Sequence, residues 1–160
     1  MKLGLVLHEV HRGENSLARM LTRLSATHKT DHEVHHVARD IAEWSHQHVR
    51  ELAEAAAHHG VRLDDEPRQE PAAAEWLREK TGELVGRRPE TGLLLLRDLR
   101  RTYLKAAEVS VDWELLAQTA QAAKDAELLA LTKRCHPQTL RQERWANAMI
   151  KVVSPQVLTT

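Results

Sequence analysis

Between Lys2 and Thr27 the apolar residues Leu3, Leu7, Val10, Leu17, Leu21 and Leu24 recur in steps of four and three, and the missing member of the series is Glu14. At about 3.6 residues per helical turn, that spacing lays one apolar stripe along one side of a helix, and the stripe has to be covered by other helices. A carboxylate set into such a seam costs several kcal/mol unless something pairs with it. Metal is one partner that could do so; a buried hydrogen-bond network is the other.

The rest of the chain repeats the helical pattern. The apolar residues are mostly Leu, Ala and Val, with no Phe and one Tyr, a composition that favours helix over strand. Six glycines and five prolines are too few for the turns of an all-β domain. Thr30-Asp31-His32-Glu33 matches a capping box with Thr30 as N-cap, and a second helix reads from Asp31 to His59, closed by Gly60. Its inward stripe is Val34, Val37, Ile41, Trp44/Ser45, His48, Leu52 and Ala55/Ala56, so His48 is a second polar group on a core-facing position. Residues 61–89 carry prolines, glycines and charge, and read as a crossover holding a short helix at Ala72–Leu84 packed through Trp76 and Leu77.

A third helix follows from Glu90 through Leu93, Leu96, Leu99, Tyr103, Ala107, Val111, Leu115 and Ala122, a phase that turns Glu114 inward. Lys124-Asp125 offers a turn, with Asp125 as N-cap of a fourth helix through Leu128, Leu131, Cys135, Ala146, Met149, Ile150 and Val153. Pro137 should kink or split that helix near His136, and the tail 154–160 should fray or pack across a bundle end. The expected architecture is a single all-α domain, an antiparallel four-helix bundle. Hairpins 2–59 and 90–153 are joined by the long crossover. A faint internal echo links the halves: Glu14 and Asp31 are 17 residues apart, as are Glu108 and Asp125.

This arrangement resembles the ferritin-like superfamily. The resemblance implies a di-iron or di-manganese centre held by a Glu from the first helix, Glu-x-x-His from the second, a Glu from the third and Glu-x-x-His from the fourth. Glu14 matches the first of these. Glu43-Trp44-Ser45-His46 and Glu33-Val34-His35-His36 match the second literally, but Glu43 points away from the stripe and Glu33 is explained by capping. His48 has the phase that Glu43 lacks. Glu108 and Glu114 are the third-helix carboxylates, Glu114 the better phased. The fourth helix departs from the pattern: Glu143-Arg144-Trp145-Ala146 has no histidine, and His136 lies a turn and more before it. What the resemblance leaves is a degenerate or mononuclear site from Glu14, His48 and Glu114, with His11 or His136.

Iron, manganese or zinc is the metal such a site would take, in an iron or manganese oxidase or a peroxide-detoxifying protein, with no organic cofactor. The alternative is a non-catalytic ferritin-like scaffold with a decayed site, acting through protein contacts. A hemerythrin-like sensor, suggested by His36-x-x-x-Asp40, ranks behind both.

Other features narrow the partners. Twenty-three basic and twenty-three acidic residues cancel, which removes the global field that attracts nucleic acid or anionic membrane. The runs Gly86-Arg87-Arg88 and Arg97-Asp98-Leu99-Arg100-Arg101 read as solvated, salt-bridged faces. Cys135, the one cysteine, reads as a small core hydrophobe. The apolar start Leu3–Leu7 meets His8, Glu9, His11 and Arg12 too soon for a signal peptide, and no run is long enough to span a membrane. A cytoplasmic homodimer is the expectation, with His32, His35, His36, His58 and His59 in solvent.

Overall fold

The computed structural model describes residues 2–66 and 90–160, and four helices fill most of them. They are α1 (Leu3–Thr27), α2 (His32–His58), α3 (Thr91–Ala122) and α4 (Ala126–Leu158). The expected short helix at Ala72–Leu84 and the Gly86-Arg87-Arg88 run lie outside the described residues. No strand occurs among the described residues, and no helix there is long and apolar enough to cross a membrane.

Both tight turns are set by an aspartate. Asp31 caps α2 by accepting from the Val34 amide at 3.0 Å, and Asp125 caps α4 by accepting from the Leu128 amide at 2.9 Å. The N-cap of α2 is therefore Asp31 and not Thr30, since it is the Asp31 carboxylate that takes up an amide of the first turn. The echo between the two hairpins is real at this level: each N-cap aspartate is followed two residues on by a first-turn glutamate, Glu33 or Glu127. α2 ends as expected, with Gly60 at φ +69°, and the turn into α4 puts Lys124 at φ 56°.

The helices lie side by side, with α1 against α2 and α3, and α4 against α2 and α3. Cross-helix bonds give their directions. His28 at the end of α1 meets Asp98 near the start of α3, while His59 at the end of α2 meets Asp125 at the start of α4. The end of α1 thus meets the start of α3, and the end of α2 meets the start of α4.

The first-helix stripe is buried throughout, Glu14 included. The third helix is rotated relative to the expected phase. Its buried side is Leu95, Leu99, Thr102, Ala106, Val109, Trp113, Leu116 and Ala120. Leu104, Val111 and Leu115 are 47%, 60% and 53% exposed on the opposite side. The helix carries two apolar stripes; the one that faces the core combines Leu95, Leu99, Trp113 and Leu116 with small residues in between, Thr102 and Ala106, that permit close approach. Gly13 of α1 shows how close: a Cβ built there would come within 2.9 Å of Val109 Cγ2.

α4 also departs from expectation. It runs unbroken through Pro137, and through Pro155 into the tail as far as Leu158. Pro137 cannot donate to the Lys133 carbonyl one turn back, but both residues lie on the exposed side of the helix, where water takes up that carbonyl.

Candidate functional site

One carboxylate oxygen joins all four helices. Glu14 Oε1, on α1, accepts from His48 Nδ1 of α2 at 2.9 Å, from Trp113 Nε1 of α3 at 2.7 Å and from Thr139 Oγ1 of α4 at 3.0 Å. Glu14, Trp113 and Thr139 are fully buried, and His48 is nearly so. On its far side the imidazole donates through Nε2 to Gln138 Oε1 at 2.7 Å, and its ring stands edge-on to the Trp113 indole. One turn further along, Gln142 of α4 donates to the Ile41 carbonyl and to Ser45 Oγ, both at 2.9 Å. Glu14 Oε2 and Gln142 Oε1 have no protein partner.

The electrostatics follow from this geometry. Burial alone would push the His48 pKa down, but the Glu14 carboxylate outweighs it, helped by the neighbouring Cys135 thiol, and the pKa is pushed up to about 10. Both ring nitrogens face acceptors, so both carry protons. The centre is a buried carboxylate–imidazolium pair. Cys135 is driven the other way, its pKa raised by burial, with the nearby His48 only partly offsetting it. It remains a thiol, as a core hydrophobe would, and not a nucleophile.

The residues singled out from sequence part company here. Glu14 and His48 converge, and they converge on each other. Glu114, expected inward, is exposed; the rotated phase of α3 puts its neighbour Trp113 in the core instead. Glu114 takes a hydrogen bond from Gln118 at 2.9 Å and lies 3.9 Å from His136 Nδ1. His136 in turn has its Nε2 2.8 Å from the Ser110 hydroxyl, so these two predicted ligands meet along the α3–α4 flank, away from the core.

His11 is buried, but its Nε2 donates to the Asp64 carbonyl at 2.7 Å, tying the segment after α2 back onto α1. His35 and His59, expected in solvent, are engaged: His35 Nδ1 donates to the Ser25 carbonyl at 2.9 Å, and His59 pairs with Asp125 at 3.0 Å. Gln138, Thr139 and Gln142 were not foreseen, nor was Trp113 as a partner of Glu14; Ser45 was placed on the inward stripe but not in a polar network. The signal for Trp113 was its place in a second four-three series, Leu99–Thr102–Ala106–Val109–Trp113, which its small residues made easy to pass over.

A metal ion fits this donor set poorly. A ligating imidazole needs a lone pair, and both His48 nitrogens donate; Glu14 Oε1 is already shared by three donors. The oxygens of this network left without a protein partner are Glu14 Oε2 and Gln142 Oε1, one carboxylate and one amide oxygen, too few by themselves for the ligand set of a transition metal. Among the described residues no group of three or more His, Cys, Asp or Glu side chains is arranged to bind one. A groove of about 380 Å³ between the end of α2 and the start of α4 is lined by Glu51, Glu54, His58, His59, Glu127 and Arg134 together with Leu128 and Leu131. Its charges largely pair with each other, Arg134 with Glu51 at 3.2 Å and His58 with Glu127 at 3.7 Å.

No family model, no curated protein and no solved structure matches this chain.

Proposed function

We propose that this protein is a non-catalytic helical scaffold, ferritin-like in its helix order, that works through protein–protein contacts. The observation that carries this reading is the outer face of α3. Leu104, Val111 and Leu115 form an apolar stripe directed away from a core that is already closed by a second stripe on the same helix. A helix needs one apolar face to join a bundle; a second, outward one is what a partner surface requires. Within this reading the Glu14–His48 pair is structural. It takes one or more residues from each of four helices and fixes their relative heights, the role for which buried polar groups are best attested.

The competing reading is a metal-dependent oxidase or peroxide-detoxifying protein built on Glu14 and His48. The two are separated by elemental analysis of tag-free protein loaded with iron, manganese or zinc under aerobic and anaerobic conditions. The scaffold reading expects no stoichiometric metal in the wild type. One or two equivalents, lost in both Glu14→Ala and His48→Ala, would overturn it.

A further inference from the structure

The charges of α3 are divided along its length. Its first half, residues 91–106, carries Arg97, Arg100, Arg101 and Lys105, and its one acid, Asp98, is turned inward onto His28 at 2.9 Å. Its second half, residues 107–122, carries Glu108, Asp112 and Glu114 and no basic residue. The outward apolar stripe runs across the boundary, with Leu93 and Leu104 in the basic half and Val111 and Leu115 in the acidic half.

A face of this kind is complementary to itself in one arrangement only. Laid parallel, two copies would oppose like charges; laid antiparallel about a two-fold axis near Ala107, each basic half covers an acidic half along the whole helix. Opposed helix dipoles favour the same orientation. We propose that α3 is the interface of a homodimer, packed antiparallel against α3 of a second copy. This deepens the scaffold reading and rests on it. In the register centred on Ala107, Arg100 lies opposite Glu114 of the second copy, and Leu104 lies opposite Ser110 and beside Val111 of the second copy.

The size of the face sets the strength. A helix of 32 residues is about 48 Å long, and a strip about 10 Å wide along it buries on the order of 500 Å² per copy. That is the small end of specific interfaces, so the dimer is reversible, of roughly micromolar affinity, and weakened by salt.

Sedimentation equilibrium on the full chain from about 1 μM to about 1 mM tests this range. The wild type is expected to be a dimer at the upper end, and Val111→Glu to raise the dissociation constant at least tenfold. Arg100→Glu should weaken the dimer, and Arg100→Glu with Glu114→Arg in the same chain should restore it, because the exchange preserves each pair across the axis. All these positions are on the outer face, and unchanged unfolding midpoints verify that the variants fold. A monomer throughout, a dimer indifferent to Val111→Glu, or a double variant no tighter than Arg100→Glu each overturns the pairing. Failure here is distinguishable from failure of the scaffold reading, which is decided by bound metal and not by mass.

Discussion

His48 shows how a neighbour can reverse the usual effect of burial on an imidazole. Desolvation favours the neutral ring, but a carboxylate at 2.9 Å and an amide oxygen at 2.7 Å hold both protons in place. The folded pKa of about 10 lies above the ordinary value of 6.5, so folding takes up a proton when the pH lies between the two. The stabilisation is fully present below pH 6.5 and is lost as pH rises through about 10. Glu14→Ala leaves the imidazolium buried without its counter-charge and is expected to cost about 3–5 kcal/mol in urea unfolding at neutral pH. His48→Gln should be less stable than wild type by the largest margin at pH 6 and by a margin that shrinks steadily towards pH 10. A margin that grows with pH would mean that His48 is neutral in the fold.

At the scale of the element, α1 and α3 depend on a residue with no side chain. Gly13 sits in the middle of a helix, where glycine costs about 1 kcal/mol relative to alanine, yet alanine there would meet a buried valine methyl at 2.9 Å. Val109 is β-branched and fully buried, so it has little freedom to give way. Overpacking of this kind costs about 1–3 kcal/mol, more than the gain in helix propensity returns. Gly13→Ala is therefore expected to destabilise the protein, where the same change on a solvent-facing helical site would stabilise it. Because the shift separates α1 from α3 beside Glu14, the indole of Trp113 should also report it, as a change in near-ultraviolet circular dichroism.

Across the whole molecule, the two hairpins are clamped at both ends by a histidine and an aspartate. His28–Asp98 closes one end at 2.9 Å and His59–Asp125 the other at 3.0 Å, and each histidine follows the C-terminus of a helix, where positive charge is favoured. Asp98 is partly buried, which alone would raise its pKa, but the hydrogen bond from His28 and the Arg97 guanidinium bring it below the ordinary carboxylate value. Its contribution is present above about pH 4 and disappears as pH falls through the lowered folded value. Asp98→Asn is expected to lose about 1–2 kcal/mol at pH 7 and to show a shallower loss of stability than the wild type on acidification. Parallel acid curves for the two proteins would show that the clamp carries no charge-dependent stability.

Local pattern determined much of this protein. The stripe of α1, the polar positions Glu14 and His48 within two such stripes, the aspartate cap of α4 and the glycine stop of α2 are all readable from the residues, because each depends on neighbours three or four positions away. Asp125 and Gly60 do in the structure what their chemistry requires anywhere. What the tertiary structure alone decided was which of two apolar stripes on α3 faces inward. Leu104, Val111 and Leu115 make one apolar side, but the other, with Leu99, Trp113 and Leu116, also has Thr102, Ala106 and Val109 where the helix approaches Gly13. That choice turned Trp113 into the core and Glu114 out of it, and so replaced a convergent set of ligands with a charge pair that satisfies itself. Periodicity reports that a face is apolar; it carries no information on how closely another helix can come to it, and here closeness of packing settled the matter.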